Sequence, residues 1–318
     1  MIICKTPLRI SFVGGGTDFK EFFDHHQGKV ISTTINKYMY VCLKKSYKEI
    51  YLKYSKFENV KHFKYIKHPI VREILKYYNI NDLDIASFCD IPGRTGLGSS
   101  SAFAISLISC IENLKNISLN KKKVSKLASF IEINKLKSNI GYQDQYSTCF
   151  GGFNKILFTK KNIKLQKLKI NRETMLDFNN HLFLVDTNQT RNASLILKEQ
   201  KKNTKKNIPL LKEILKLCED FEYALERKKY SDCGKILNEN WKIKKSFSKK
   251  IANNKINDIY EYLLSIGVYG AKLLGAGGGG FFLCIANPSQ INKIEKKLTK
   301  FKIVRFEFEN NGSKILNI

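Results

Sequence analysis

Hydrophobic positions recur with two different spacings along the chain, and the spacing separates strands from helices. β-Branched and aromatic residues fill residues 8–13 and alternate in part over 30–46, which predicts strands throughout residues 1–55. Further strands are predicted at 82–92, 181–187 and 303–309. Apolar side chains three to four positions apart predict helices at 68–79, 121–137, 208–227, 230–248 and 290–301. Because strands and helices mix without strict alternation, the pattern favours an α+β fold.

Two glycine-rich loops interrupt this pattern. Residues 92–114 run from a loop into a helix, and residues 259–286 read as helix, turn, strand, glycine loop and strand. A polar, lysine-rich stretch after residue 153 suggests two domains, 1–170 and 171–318. Lysine and asparagine dominate residues 198–208, which predicts a mobile loop there.

The composition describes a globular protein with a large excess of positive charge. The 318 residues are 43% hydrophobic, and 56 lysines and arginines against 28 aspartates and glutamates leave a formal net charge of +28. This content is too apolar for a disordered chain. No run of about 18 apolar residues is present, and the N-terminus lacks the apolar core of a secretory signal. We therefore expect a cytoplasmic protein with no membrane partner.

Such a charge suits a protein that binds nucleic acid or an anionic substrate. The basic residues are spread along the chain rather than blocked, and no arginine-rich tract is present, so a biased composition explains the charge better. No nucleic-acid partner is therefore predicted. The eight cysteines stand singly, and the five histidines show no ligand spacing, so we expect reduced thiols rather than a metal site built on these residues.

The strongest chemical signal is the segment PGRTGLGSSSA at residues 92–102. Its glycines let the backbone turn tightly and approach a ligand, and its serines stand where a helix begins. The first N–H groups of a helix lack internal partners and lie at the positive end of the helix dipole, so they bind anions. The segment is no Walker A loop, because Ser99 stands where that loop needs lysine. It predicts a phosphate cradle built from Gly93, Gly96, Leu97, Gly98, Ser99, Ser100 and Ser101.

Two further glycine clusters lie near the two ends of the chain. GAGGGG at 275–280 contains the letters of a dinucleotide-binding motif, but the FFLCIA that follows is strand-like where that fold needs a helix. It suits either a loop that lies against a ligand or another loop, or a purely structural turn. Residues 14–18, GGGTD, either form a tight turn or leave room beside Asp18, whose carboxylate can accept hydrogen bonds from substrate hydroxyls.

Together the three motifs resemble those of the GHMP kinases, the family that includes galactokinase, homoserine kinase and mevalonate kinase. PLRISFVGGGTD, PGRTGLGSSSA and KLLGAGGGGFF come in the order of that family's motifs and span nearly the whole chain. The resemblance implies an N-terminal domain like the second domain of ribosomal protein S5 and a ferredoxin-like C-terminal domain. It also implies phosphoryl transfer from MgATP to a substrate hydroxyl, with ATP on the middle loop and the acceptor between the domains.

The resemblance also implies roles for single residues. Ser100 and Glu132 would hold Mg²⁺, which needs only one or two protein oxygens beside phosphates and water. Asp144 would accept the proton of the acceptor hydroxyl or orient that hydroxyl. Arg9 would hold this aspartate ionised and stabilise charge on the transferring group.

Finer motifs at 141–154, 187–191 and 240–246 resemble the sugar-kinase branch that includes heptose 7-phosphate kinases. That branch implies phosphorylation of the anomeric hydroxyl of a heptose 7-phosphate, for nucleotide-activated heptose and surface polysaccharide synthesis, by a monomer or homodimer. The alternatives are a kinase of fucose, galactose or mannose, and a basic nucleic-acid-binding protein without enzymatic activity. The residues expected to contact the acceptor are Gly15, Gly16, Thr17, Asp18, Arg191, Lys245, Gly277 and Gly278, with Lys244 as a further candidate for a phosphate anchor.

Overall fold

The computed structural model describes residues 1–93, 95–189 and 193–316. Within these ranges, strands form a nine-stranded sheet and a four-stranded sheet. The strands are β1 (Ile2–Val13), β2 (Gly28–Lys45), β3 (Ile50–Lys53), β4 (Phe57–Val60), β5 (Leu83–Cys89), β6 (Asn154–Phe158), β7 (Ile163–Lys167), β8 (Leu182–Asp186), β9 (Gly270–Leu273), β10 (Phe281–Ile285), β11 (Ile303–Val304), β12 (Phe308–Glu309) and β13 (Lys314–Leu316).

Helices cover the sheets and connect their strands. They are α1 (Lys20–Phe23), α2 (Pro69–Tyr78), α3 (Ser99–Leu114), α4 (Lys121–Ser129), α5 (Gln143–Phe150), α6 (Arg172–Asn180), α7 (Ala193–Lys202), α8 (Ile208–Glu226), α9 (Tyr230–Ser246), α10 (Asn254–Ser265) and α11 (Pro288–Lys297). A 3₁₀ turn covers Phe63–Tyr65, and a π-helical turn at Phe130–Lys135 continues α4. None of the helices in the described part of the chain is long and apolar enough to cross a membrane.

The long strand β2 organises the first sheet. It pairs with β1 along most of its length, while its first residues pair with β6 and its last residues pair with β5. The pairing of β1 with β2 shifts register twice, between Pro7 and Leu8 and between Ser11 and Val13. Such bulges bend a strand and redirect its side chains. The second bulge lies directly before the Gly14–Gly16 turn.

The second sheet is antiparallel, in the order β11-β8-β10-β9. Its strands β8 and β10 are almost wholly buried, because helices and the first half of the chain cover them. The hydrophobic core is continuous between the two halves. Phe12 of β1 stacks on Phe221 of α8, with ring centroids 5.1 Å apart. The two sheets therefore meet through a packed aromatic core beside β1.

The apolar pattern explains why α3 stands at the centre of the first half. Every residue of α3 from Ser101 to Glu112 is buried, and the helix contacts both β1 and β2. An all-round apolar helix is typical of a core position. α2 begins as its sequence predicts, because Pro69 occupies the first turn and the His68 ring accepts a hydrogen bond from the Val71 N–H.

Two predictions in and beside the helices differ from the structure. The loop predicted at 198–208 is shorter in the structure, because α7 continues to Lys202, and the side chains of Gln200 and Thr204 are buried. Ile196 and Leu211, on either side, belong to one hydrophobic cluster and hold this polar stretch in place. The helix predicted at 121–137 changes to a π-helical turn after Ser129.

The C-terminal residues return to the first sheet. The strand predicted at 303–309 is split, because β11 pairs with β8 in the second sheet and β12 pairs with β2 in the first. β13 then pairs with β1. Residues 308–316, which were predicted to belong to the second domain, therefore pair with β1 and β2 of the first. For the rest of the chain the division at residue 170 stays a prediction.

Candidate active site

The loop before α3 presents backbone donors that have no helical partner. Gly96 and Gly98 have φ angles of +83° and +76°, in the left-handed region that glycine adopts readily. α3 has no side-chain cap, and the Ala102 N–H is bonded to the Gly98 carbonyl. The N–H groups of residues 99–101 precede that bond and lie at the positive end of the helix dipole. This arrangement fits the phosphates of a nucleotide.

The phosphate loop is locked onto β1. The Leu97 carbonyl accepts a hydrogen bond from the Arg9 N–H at 3.0 Å, and the Leu97 side chain is buried in the core. A Cβ atom at Gly98 would lie 3.1 Å from Arg9 Cγ. Gly93 is exposed at the start of the loop. Leu97 therefore anchors the predicted cradle, while the glycines and serines around it shape its surface.

Arg9 on β1 and Asp144 in the first turn of α5 form a two-point ion pair. Arg9 Nε donates to Asp144 Oδ1 at 2.9 Å, and Arg9 Nη2 donates to Asp144 Oδ2 at 2.8 Å. Arg9 Nη1 donates to the Gly96 carbonyl at 2.6 Å. Arg9 is only 4% exposed, so solvent screens the pair weakly. One guanidinium thus connects a carboxylate to the phosphate loop.

Glu132 is a buried carboxylate surrounded by neutral donors. Ser100 Oγ donates to Oε1 at 2.8 Å, while Ser101 Oγ and Gln145 Nε2 donate to Oε2 at 2.8 and 2.7 Å. Burial raises the pKa of Glu132 above its ordinary value, and these hydrogen bonds oppose the rise. No salt bridge to Glu132 is found among the described residues. A carboxylate next to the exposed Ser100 hydroxyl, without a cationic partner, fits Mg²⁺, which prefers oxygen ligands.

Asp18 supplies a third carboxylate beside the same loop. Its Oδ1 accepts a hydrogen bond from the Gly16 N–H at 3.0 Å, and its Oδ2 accepts one from the Gln143 N–H at 3.3 Å. Burial raises the pKa of Asp18, and the negative charge of Asp144 acts in the same direction. A side chain at Gly141 would collide with the Asp18 carboxylate. The GYQDQ segment therefore needs glycine at its first position.

Three of these charged side chains border one cleft between the two halves of the chain. Arg9, Asp18 and Asp144 line it from the first half, together with Gly15 and Gly16. The second half contributes side chains that were not among the predicted site residues: Gln200, Asn240 and Lys272. Lys272 is the first residue of the KLLGAGGGGFF motif, and this position is the feature of the sequence that points to it as a site residue. Gln200 and Asn240 lie on α7 and α9, which reach the cleft only after folding.

Two polar atoms of this cleft are buried and have no hydrogen-bond partner among the described residues. They are Ser11 Oγ and Gln143 Oε1. Sequence reasoning missed both residues, although Ser11 lies two positions after Arg9 and so shares its strand face. Because an unpaired buried polar atom is costly, both atoms are suited to bind hydroxyl groups of a ligand.

Lys244 and Lys272 bring positive charge to the cleft. Lys244 is 8% exposed, and its Nζ donates to the carbonyls of Leu273, at 3.3 Å, and Gly275. Lys272 Nζ donates to the Ser11 carbonyl at 3.0 Å. Burial lowers the pKa of Lys272 to about 7; Cys218 opposes this shift, and the positive charge of Arg9 adds to it.

The structure does not bring every predicted contact to the cleft. Thr17 is fully buried, and its hydroxyl donates to the Gly14 carbonyl at 2.7 Å, so it closes the turn instead. Lys245 points away towards α10, where its Nζ donates to Asn257 Oδ1 at 3.3 Å and lies 5.2 Å from the centre of the Tyr260 ring. The helical spacing places these two neighbouring lysines, 244 and 245, on different faces of α9. Lys245 therefore does not lie where a phosphate anchor in the cleft would have to be.

The last glycine cluster serves mainly to hold the chain together. The Gly278 N–H donates to the Ile251 carbonyl at 2.6 Å, and a side chain at Gly277 would meet the same residue. Gly275 and Ala276 line the cleft instead of Gly277 and Gly278. Gly277 and Gly278 therefore pack against Ile251 and do not contact the acceptor as predicted. Arg191, the other predicted phosphate anchor, lies outside the described residues.

Known proteins share this sequence pattern and this fold. Residues 64–152 match the GHMP kinases N terminal domain, and residues 221–303 match the GHMP kinases C terminal domain, which together cover more than half of the chain. The D-glycero-alpha-D-manno-heptose 7-phosphate kinase of Campylobacter jejuni is 29% identical over 98% of this chain and 97% of its own length.

Solved structures of kinases superpose over the whole length of the chain. A D-glycero-D-manno-heptose 1-phosphate kinase from Bacteroides thetaiotaomicron aligns with a TM-score of 0.82 at 22% identity, covering 100% of this chain and 99% of that one. The mevalonate kinase of Methanococcus jannaschii aligns with a TM-score of 0.75 at 22% identity, covering 97% and 98%. At this identity the likeness establishes the fold.

The chain belongs to the GHMP kinase family. It is a phosphotransferase with an alcohol group as acceptor, and kinases of this family use ATP. The α+β class, the two-domain fold and the family resemblance predicted from the sequence are confirmed.

Proposed function

We propose that this kinase phosphorylates the anomeric hydroxyl of D-glycero-D-manno-heptose 7-phosphate to give the 1,7-bisphosphate. The observation that carries the proposal is the ion pair of Arg9 and Asp144 at the phosphate loop, inside a chain related over its full length to a heptose 7-phosphate kinase. The product would serve nucleotide-activated heptose and surface polysaccharide synthesis. The acting form would be a cytoplasmic monomer or homodimer that binds no nucleic acid.

MgATP would bind at the N-terminus of α3. The backbone N–H groups of residues 99–101, with Gly96 and Gly98, would hold its phosphates. Ser100 and Glu132 would hold Mg²⁺, which neutralises phosphate charge when it is bound. The hydrogen bond from Ser100 Oγ to Glu132 Oε1 keeps these two oxygen donors side by side. Ser101 and Gln145 would orient the carboxylate.

Asp144 would act on the acceptor. Its carboxylate lies at the cleft, where it can accept the proton of the attacking hydroxyl or orient that hydroxyl towards the γ-phosphate. Arg9 holds the Asp144 carboxylate in place through two hydrogen bonds and puts positive charge beside the transferring group. Phosphoryl transfer depends mainly on such positioning and charge neutralisation.

The cleft offers several groups for a polyhydroxylated acceptor. The Asp18 carboxylate and the unpaired Ser11 Oγ and Gln143 Oε1 would bind sugar hydroxyls. Gly15 and Gly16 leave room for the sugar ring beside Asp18. Lys244 would supply the charge that a second phosphate needs, in place of Lys245.

A coupled ADP-release assay tests this proposal. The enzyme receives MgATP with D-glycero-D-manno-heptose 7-phosphate, or with unphosphorylated fucose, galactose or mannose. Turnover on the heptose phosphate alone supports the proposed acceptor. Turnover on a free sugar instead keeps the proposed chemistry and rejects the heptose phosphate. If none of these sugars is phosphorylated, the proposed acceptor class is wrong.

A further inference from the structure

A lysine crosses from the second sheet to the strand that carries Arg9. Lys272 on β9 is 3% exposed, and its Nζ donates hydrogen bonds to the carbonyls of Ser11 and Phe12 on β1, at 3.0 and 2.5 Å. A buried ammonium that donates to carbonyls forms charge-assisted hydrogen bonds, which are stronger than neutral ones. The two sheets are thus joined at one point of β1 by a buried amine that donates to two carbonyls.

That point is the second bulge of β1. The register with β2 shifts between Ser11 and Val13, and a bulge of this kind leaves backbone groups without partners in the strand ladder. Lys272 provides donors for two successive carbonyls there. The bulge separates Arg9 from the Gly14–Gly16 turn, so its shape sets how both face the cleft.

Arg9 and Ser11 occupy the same face of β1, because side chains alternate along a strand. Both line the cleft, as does Lys272 itself. The side chain of Phe12 points into the core instead and stacks on Phe221 and Phe153. Aromatic packing therefore holds the Phe12 side chain, and Lys272 holds the carbonyls of Ser11 and Phe12.

We propose that Lys272 is a positioning residue for phosphoryl transfer, which holds the β1 bulge in the shape that directs Arg9 towards Asp144. Lys272 acts through the strand backbone. The phosphate loop is bonded to β1 at Arg9, before the bulge that Lys272 holds, and Glu132 is bonded to Ser100 and Gln145. We therefore expect loss of Lys272 to affect turnover more than nucleotide binding. This inference rests on the proposed roles of Arg9 and Asp144 and does not depend on which acceptor sugar is used.

A second lysine that joins the two halves of the chain provides a matched control. Lys155 on β6 donates to both carboxylate oxygens of Glu222 on α8, at 2.8 Å. This bridge lies outside the cleft. A comparison of Lys272→Met with Lys155→Met therefore separates the loss of a connection between the halves from the loss of the connection at the bulge.

The experiment measures kcat and the KM values for MgATP and acceptor in wild type, Lys272→Met and Lys155→Met. The acceptor is whichever sugar the wild-type enzyme phosphorylates in the assay above, so a wrong acceptor proposal is recognised before the variants are compared. We expect Lys272→Met to lower kcat about tenfold to a hundredfold, with the KM for MgATP changed less than about twofold. Lys155→Met should keep the wild-type kcat.

The fluorescence of Trp241, the single tryptophan of the chain, checks that each variant is folded. Phe12 keeps its aromatic contacts in Lys272→Met, so we expect a folded protein. Should it fail to fold, Lys272→Gln, which retains an amide donor, takes its place in the same comparison. A kcat equal to that of Lys155→Met overturns the proposal. So does a parallel rise in the KM for MgATP, or the failure of both Lys272 variants to fold, since either marks a purely structural residue.

Discussion

Arg9 and Asp144 lie 135 positions apart in the sequence and are joined by two hydrogen bonds of 2.9 and 2.8 Å. The remaining terminal nitrogen of Arg9 reaches the Gly96 carbonyl in the phosphate loop. One side chain thus sets the distance between the carboxylate proposed to act on the acceptor and the loop proposed to hold ATP. A lysine cannot reproduce these three contacts, because they use the planar fork of the guanidinium.

Asp144→Asn should lower kcat about a hundredfold to ten-thousandfold, because the amide cannot accept a proton and pairs poorly with Arg9. Nucleotide should still bind, since the phosphate loop belongs to α3. Steady-state kinetics and a titration with MgATP measure both effects. Asp232→Asn is the matched control, because Asp232 also lies in the first turn of a helix and pairs with a lysine, outside the cleft. Near-normal turnover of Asp144→Asn would falsify its proposed role.

Glu132→Gln should raise the Mg²⁺ concentration needed for half-maximal activity by about tenfold or more, because it removes the charged proposed ligand. The melting temperature should not fall, because burial disfavours the ionised carboxylate in the folded protein. Activity at varied Mg²⁺ and thermal unfolding test the two statements. Glu112→Gln, which changes a buried carboxylate bonded to Tyr78, should leave the Mg²⁺ dependence unaltered. An unchanged Mg²⁺ requirement in Glu132→Gln excludes this residue as a ligand.

Gly98→Ala should weaken MgATP binding and slow turnover together. Alanine would have to adopt the φ of +76° that Gly98 has, and its Cβ would lie 3.1 Å from Arg9 Cγ. We therefore expect both the phosphate cradle and the ion pair to shift. The backbone strain alone costs about 1–2 kcal/mol. Gly267→Ala separates these causes, because Gly267 has a φ of +105° with open space around it, outside the cleft. If both variants lose activity equally, strain rather than the site explains the effect.

The stability of the protein should depend on pH through Lys272. Burial lowers the pKa of Lys272 to about 7 in the folded protein, well below that of an unfolded lysine, near 10.5. Between these two values the unfolded chain binds more protons, so this group makes the free energy of unfolding rise with pH. Lys272→Met lacks this contribution, so the variant should become less stable relative to wild type between pH 7 and 10. Chemical denaturation at several pH values measures the difference, and parallel curves for the two proteins would contradict it.

Most of the local elements and the phosphate loop can be predicted from the sequence. Helix α2 and the glycine loop before α3 follow from short-range signals, namely a proline in a first turn and glycines before a run of serines. Arg9, Asp144, Glu132 and Asp18 were all placed in one site from their motifs, and the structure brings them to one region. Motifs report such residues because the chemistry requires a particular side chain beside a recognisable backbone turn.

Which face of each element meets the cleft depends on how the elements pack in the folded chain. Lys244 and Lys245 have equal sequence signals, but the packing of α9 turns the first into the cleft and the second towards Asn257. Lys272 and Ser11 acquire their roles only because β9 packs against the bulge of β1. The return of residues 308–316 to the first sheet likewise depends on free strand edges elsewhere. These features depend on contacts between distant residues, which local periodicity and motif spacing do not encode.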